Sequence, residues 1–333
     1  MSTAALDRLL AWLVALQLAT GLLSLRAGSP PTAPLFVVHG LLGGALLVAV
    51  ALKLRRSVPP ALRDRRWGRL VLGFLLALTT LGALAGGFVW VASGRILIVG
   101  PWTVLTLHVL VALALVPIAV LHLLPRRWRL VRPPARRIGR PLVSRRTALA
   151  TLALGVMGAV AWAAANGIEA LAGGVRRFTG SRWLPDGGIP PATTFFGEGT
   201  DQLDPAAWRL SVRGEVAQPL SLTLAQLSAL GEVDRTEILD CTSGWALRTS
   251  WRGTPLAAVL EAAAPRARAR TATIRSVTGW YARLPLDEAR RALLATTVAG
   301  QPLPHGNGAP CRLVAPDRRG LEWVKWVTEI EVA

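Results

Sequence analysis

The chain has 333 residues, 52% of them hydrophobic, a mean hydropathy of +0.43 and a net charge of +19. It is too long and too apolar for one ordinary soluble domain, so membrane spans are expected. Most of the basic excess lies in residues 53–69 and 126–146, each between hydrophobic runs; this excludes a nucleic-acid face and matches the positive-inside pattern of cytoplasmic loops. Two cysteines, Cys241 and Cys311, exclude a disulfide framework and leave room for one bridge at most.

Five apolar segments follow in order: residues 9–25, 35–52, 70–92, 102–124 and 147–171. Each has the roughly 17–25 residues that a helix needs to cross a hydrocarbon core. Trp67, Trp90, Trp102 and Trp128 fall at segment ends, where interfacial aromatics belong. With both Arg-rich loops inside, the connections 28–34 and 93–101 face outward and everything after the fifth segment is extracytoplasmic. The first segment is followed by further spans, so it reads as a span and not as a cleaved signal peptide.

Histidine is scarce, and three of the four lie in apolar segments, where an imidazole is costly and marks function by default. His39 and His108 each sit about 6–9 Å below the outer boundary at 1.5 Å rise per residue, matched in depth as two axial ligands of one haem b. His122 lies lower on the fourth segment, and Lys53 stands where a second haem would need its partner, so one haem is expected at most. The bland alternative is three histidines that hydrogen-bond between helices. Gly43-Gly44, Gly82 and Gly86-Gly87 allow close helix approach under either reading.

Ser144-Arg145-Arg146 precedes the fifth segment, an Arg pair resembling a twin-arginine export signal in an internal position. Adjacent Arg pairs recur at 126/127 and 136/137, which is the competing explanation. Residues 173–192 are Gly- and Pro-rich and read as a linker leaving the membrane. From 193 to 333 strands alternate with short helices: strands at 208–212, 236–239 and 272–277, helices at 224–229 and 256–263, and a closing strand pair at 311–315 and 324–332. This ordering predicts a mostly antiparallel α+β domain long enough to bury its own core. Within it Cys241 ends a short buried strand before a Thr-Ser-Gly turn, flanked by Trp245 and Trp251. That position suits a ligand or nucleophile, or equally a small buried thiol.

The outer domain carries Arg213-Gly214-Glu215-Val216 with Pro219-Leu220, Cys241 with Gly244-Trp245, and Trp251-Arg252-Gly253 with Pro255-Leu256. Further on come Leu303-Pro304, Asn307-Gly308-Ala309-Pro310, Arg312-Leu313-Val314, Gly320 and Val324-Lys325-Trp326-Val327. In this order and spacing they resemble the molybdopterin-binding domain of the sulfite oxidase superfamily, closest to the catalytic subunits of bacterial periplasmic methionine sulfoxide reductases. The resemblance implies a sulfite oxidase-like molybdopterin-binding fold, with Cys241 as the molybdenum ligand and catalytic residue. It implies cofactor contacts from Asn307, Arg312, Trp323, Val324, Lys325 and Ser276, and more loosely from Thr194 and Phe196. The chemistry is consistent: a soft thiolate suits a high-valent metal held by dithiolene sulfurs, and a phosphate-ended pterin needs cations and amide donors. Cys311 falls at a core position of the family pattern. The arginine-rich signature that follows the cysteine in true sulfite oxidases is absent, which disfavours sulfite as substrate.

The expectation is a membrane-anchored molybdenum oxidoreductase divided at 1–125 (four spans with haem b), 126–172 (basic loop and fifth span), 173–192 (linker) and 193–333 (molybdopterin domain). It would reduce a sulfoxide or related oxide by oxygen-atom transfer, exchanging electrons with a quinone pool or membrane redox partner. It would lie in bacterial membrane lipid, take a small-molecule substrate, use the twin-arginine export machinery and bind no nucleic acid. The alternatives are oxidation of sulfite or another small sulfur compound, and a non-catalytic membrane subunit with a degenerate cofactor site.

Overall fold

The computed structural model describes residues 2–63, 67–123, 145–194 and 198–333. They form two units, Met1–Ser24 with Pro31–Gly180, and Leu25–Pro30 with Ser181–Ala333.

The first unit contains five helices, α1 (Thr3–Ser24), α2 (Ala33–Arg63), α3 (Trp67–Ala92), α4 (Val104–Leu123) and α5 (Arg145–Leu171). Each includes a stretch long and apolar enough to cross a membrane. Large apolar side chains such as Phe74, Leu152 and Val160 point outward, as in helices whose surroundings are themselves apolar. α2 runs past its expected end at 52, and Lys53 there donates to Asp7 of α1 at 2.6 Å. Trp102 does not belong to the fourth helix as expected. Gly100, at φ +58, turns the chain so that β1 (Ile98–Val99) pairs with β2 (Trp102–Thr103), and Thr103 Oγ1 then caps α4 by accepting from Thr106 N at 3.1 Å. α2 and α5 cross closely at Gly44 and Gly158: a Cβ on Gly44 would lie 2.2 Å from Gly158 O. Arg145 and Arg146 open α5 and are exposed; the rest of the 126–144 run and Trp128 lie outside the described residues.

The second unit holds strands β3 (Arg182–Trp183), β4 (Leu210–Gly214), β5 (Leu220–Leu222), β6 (Val233–Asp240), β7 (Trp245–Pro255), β8 (Thr271–Ser276), β9 (Tyr281–Pro285), β10 (Leu293–Val298), β11 (Gln301–Pro302), β12 (Arg312–Val314) and β13 (Val327–Val332). Short helices at Leu224–Ala229, Leu256–Ala263 and Leu286–Arg291 connect them, the first closed by a Thr223/Gln226 capping box. One sheet runs β11-β10-β7-β3, with β6 on β7 and β12 on β10; the other runs β5-β4-β13-β8-β9. The pairing is antiparallel except for β3/β7 and β4/β13, so the α+β class expected from the sequence holds.

Two expectations need correction. Residues 311–315 and 324–332 are not a strand pair: β12 pairs with β10 in the first sheet and β13 joins the second. The second strand starts late because Trp326 takes φ +50, outside extended backbone, and its N–H turns to Gly308 O at 3.2 Å. Nor is 173–192 a free linker throughout, because Ser181 and Arg182 are buried and Arg182–Trp183 adds a parallel strand to β7.

Candidate active site

Cys241 stands where the β6/β7 hairpin closes, just past the pair Asp240↔Ala246. Cys241 N donates to Trp245 O at 2.8 Å and Gly244 N to Cys241 O at 3.0 Å. Gly244 takes φ +104, a conformation that costs glycine little and an L side chain much. The thiol is 9% exposed, and its Sγ lies 3.0 Å from Ser243 Oγ. Cys311 is fully buried and unbridged, with burial pushing its thiol far above the ordinary range, so it is core.

The backbone behind Cys241 is fastened by groups that sequence reading passed over. Asp240 and Ser181 are fully buried, with Ser181 Oγ donating to Asp240 Oδ1 at 2.6 Å. Arg319, 3% exposed, donates to Asp240 Oδ1 at 3.2 Å, to Ser181 Oγ at 3.0 Å and to Cys241 O at 3.0 Å. The next residue, Gly320, packs so closely that a Cβ there would stand 3.3 Å from Cys241 Cα. The signal available in sequence was an Asp at the apolar end of a strand and an Arg before a marker glycine.

Asn307, Arg312 and Lys325 converge at Gly308. The 3-10 turn His305–Asn307 ends on Gly308 at φ +108, where a Cβ would meet Lys325 Cα at 2.9 Å and Arg312 Cβ at 3.1 Å. Arg312 is buried on β12; its terminal nitrogens donate to Asn307 O at 3.0 Å and Trp323 O at 3.2 Å. Its guanidinium carbon sits 5.3 Å from the Trp251 ring centre and 5.9 Å from that of Trp323, and its Nε has no hydrogen-bond partner. Lys325 Nζ donates to Thr193 O and Gly306 O, both at 2.6 Å, and Asn307 Nδ2 donates to Pro190 O at 2.9 Å. Burial lowers Arg312 to about 10, with Cys241 and Glu198 acting to raise it. Burial and the like charge of Arg312 lower Lys325 to about 8, again opposed by Glu198 and Cys241.

Neither cation has a carboxylate within ion-pair distance among the described residues. A buried and a half-buried cation without a paired anion are costly, and an anionic ligand such as a phosphate removes that cost. With a soft sulfur at Cys241 in the same electrostatic neighbourhood, the donor set fits a phosphate-bearing, sulfur-ligated molybdenum cofactor.

The remaining expected contacts are uneven. Ser276 is buried, with its Oγ accepting from Thr278 N at 3.2 Å; Thr278 Oγ1 donates to Glu198 Oε1 at 3.0 Å. Trp323 and Val324 are buried and serve through backbone: Trp323 O accepts from Arg312, and Val324 O from Leu313 N at 2.8 Å. Thr194 is exposed, and Phe196 lies outside the described residues. Trp251 is fully buried and edge-on to Trp323 at 5.5 Å, which makes it core beneath Arg312. Arg248 is half-exposed and paired with Asp186 at 3.5 Å.

In the helical unit His39 and His108 meet, with ring centres 6.2 Å apart and planes at 89°. His108 Nδ1 lies 2.7 Å from Ala83 O, which can only accept, so this nitrogen carries the proton. His39 Nδ1 lies 2.8 Å from Thr20 Oγ1, whose own proton goes to Leu16 O at 2.8 Å, so His39 is assigned the same tautomer. Both Nε2 atoms are left with lone pairs, as metal-binding imidazoles require. Gly86 and Gly87 of α3 make room for His108, a Cβ on Gly87 coming within 3.3 Å of its ring. His122 instead faces Gly73.

Residues 197–333 match the family model of the oxidoreductase molybdopterin binding domain. The chain is similar to the protein-methionine-sulfoxide reductase catalytic subunit MsrP of Xanthomonas campestris pv. campestris, 35% identical over 163 residues, covering 41% of this chain and 51% of that protein. It is similar also to MsrP of Burkholderia mallei, 31% identical over 169 residues, covering 43% and 51% respectively. The chain thus spans about half the length of these curated relatives. Among solved structures, the sulfane dehydrogenase SoxCD from Paracoccus pantotrophus aligns over 39% of each chain at 23% identity, with a TM-score of 0.38.

Proposed function

We propose, from the premise that residues 197–333 are an oxidoreductase molybdopterin binding domain, that this chain is a membrane-anchored molybdenum oxidoreductase that reduces a sulfoxide or a related oxide. The observation that carries the reading is the buried Arg312 and the half-buried Lys325, gathered at Gly308 with no carboxylate at ion-pair distance from either among the described residues. The substrate class comes from the methionine-sulfoxide reductase name of the relatives.

Cys241 Sγ holds the metal, and the hairpin turn with Arg319 behind it fixes the direction in which the sulfur points. Arg312 and Lys325 neutralise the cofactor phosphate, Asn307 shapes the turn that joins them, and Trp323-Val324-Lys325 supplies backbone and ammonium. Ser276 would contribute a cofactor contact from its hydroxyl, which accepts from Thr278 N; Thr278 in turn donates to Glu198. When bound, the cofactor supplies two-electron oxygen-atom exchange. Reduction of a sulfoxide breaks one sulfur–oxygen bond, consumes two electrons and two protons, and releases water. Thr194 and Phe196, which match the family pattern only loosely, complete the set proposed from sequence.

The electrons enter through the membrane unit. His39 and His108 hold a haem b, which supplies one-electron exchange, and Thr20 and Ala83 O orient the two imidazoles. The quinone pool or a membrane redox partner is the donor. The five helices span the bacterial membrane with the Arg-rich loops inside and the C-terminal unit outside, and Arg145-Arg146 directs export of the loaded domain. These features deepen the anchoring that five long apolar helices already imply.

The test is a coupled optical experiment. Detergent-purified chain, reduced anaerobically, should show b-type bands that a sulfoxide reoxidises, and Cys241→Ser should keep the bands but lose the reoxidation. Bands that no oxide acceptor bleaches would refute the coupling, and oxidised bands that sulfite reduces would reverse the direction.

A further inference from the structure

Cys241 is held at its backbone from two sides, and a third group reaches its sulfur. Gly244 N and Arg319 both donate to Cys241 O at 3.0 Å, and Cys241 N donates to Trp245 O at 2.8 Å. Between these anchors Ser243 has little freedom. It sits in a turn whose following residue is held at φ +104, and its Oγ is 3.0 Å from Cys241 Sγ. In a free thiol either atom could donate. A sulfur bound to a metal is a thiolate and carries no proton, so with metal bound the Ser243 hydroxyl is the donor and the sulfur the acceptor.

We infer that Ser243 is a positioning residue for the metal centre: its hydroxyl donates to the ligating sulfur of Cys241 and thereby raises the reduction potential of the metal. The inference rests on the reading of Cys241 as the molybdenum ligand. A hydrogen bond to a ligand sulfur withdraws electron density from the metal–sulfur bond, which stabilises the reduced state, the more so in a site shielded from water. The turn brings the two side chains together two residues apart, with the Cys241 backbone held on both sides. Among the described residues the neighbouring hydroxyl of the turn, Thr242, makes no hydrogen bond to the sulfur, so the effect is assigned to position 243.

The test is a redox titration of the molybdenum signal by electron paramagnetic resonance in the full-length chain, with molybdenum content measured alongside. Ser243→Ala should shift the midpoint to lower potential and alter the g-values, whereas Ser243→Thr, which keeps a hydroxyl, should stay near the parent. Ser243→Thr compared with Ser243→Val gives a second pair that differs only in hydroxyl against methyl, and covers the case in which alanine loosens the turn. Equal midpoints and g-values for the hydroxyl and non-hydroxyl members of these pairs, in loaded protein, would overturn the role of Ser243 alone. A parent chain that holds no molybdenum would overturn the cofactor reading and this inference together.

Discussion

Among the described residues Arg319 and Asp240 form the most deeply buried ion pair of the C-terminal unit, at 3% and 0% side-chain exposure. Removing one partner strands the other charge, so Arg319→Ala should cost about 3–5 kcal/mol of stability, read as a lowered unfolding midpoint of the C-terminal unit. Arg319→Met with Asp240→Leu should cost less than either single change, because an apolar pair leaves no stranded charge. If the double variant is as unstable as the sum of the singles, the pair is not coupled. Lys325 yields a pH prediction. Burial and Arg312 hold it down at about 8, so it is an ammonium below that pH and loses its charge as pH rises through it. The cofactor-free chain should therefore bind inorganic pyrophosphate more weakly at pH 9 than at pH 7, and Lys325→Arg should flatten the profile. A profile that does not change on that substitution would remove Lys325 from the anion site. Cys241, Asn307, Arg312 and Lys325 were named through the family resemblance, and the fold brings the last three together at Gly308. Asp240, Ser181 and Arg319 were not, because their partners lie 59 to 138 residues apart and each looks like ordinary polar surface until the strands bring them together.

The elements that place the site are β6, β7, β10 and β12, and their closest approach is at Gly253. A Cβ there would fall 2.0 Å from Leu294 O, so β7 and β10 pair at their observed separation only with glycine. Gly253→Ala should cost about 1–3 kcal/mol or more through forced strand separation, and should release molybdenum because β7 leads from Cys241 and β10 carries β12 with Arg312. Gly279→Ala is the control: its φ of +87 is unfavourable for alanine but nothing lies within 4 Å, so it should cost only about 1 kcal/mol and keep the metal. Equal losses of metal in both would mean that the β7/β10 spacing does not matter. At this scale the helices at 224–229 and 256–263 and the strand ending at Asp240 were readable from periodicity. The partner of β13 was not. Pairing depends on one residue, Trp326, leaving extended backbone, and an aromatic residue in an apolar run advertises a strand rather than its interruption.

At the scale of the whole chain, one polypeptide combines helices of membrane length with a stretch, residues 197–333, that matches the family model of the oxidoreductase molybdopterin binding domain. The depth argument from sequence joined His39 to His108, since both are counted from the same boundary; the ring separation of 6.2 Å agrees with it. It could not see Thr20, whose contact with His39 crosses from α1. His39→Ala and His108→Ala should each abolish the b-type bands while leaving molybdenum in place, and bands that persist in both would exclude this histidine pair. Arg145→Lys with Arg146→Lys should leave the C-terminal unit inside the cell, as read by protease protection in spheroplasts; normal export would refute the signal. The most direct test of the account is the molybdenum content of the full-length chain purified from a molybdate-replete host. The prediction is close to one molybdenum per chain; less than about a tenth of an equivalent would contradict it.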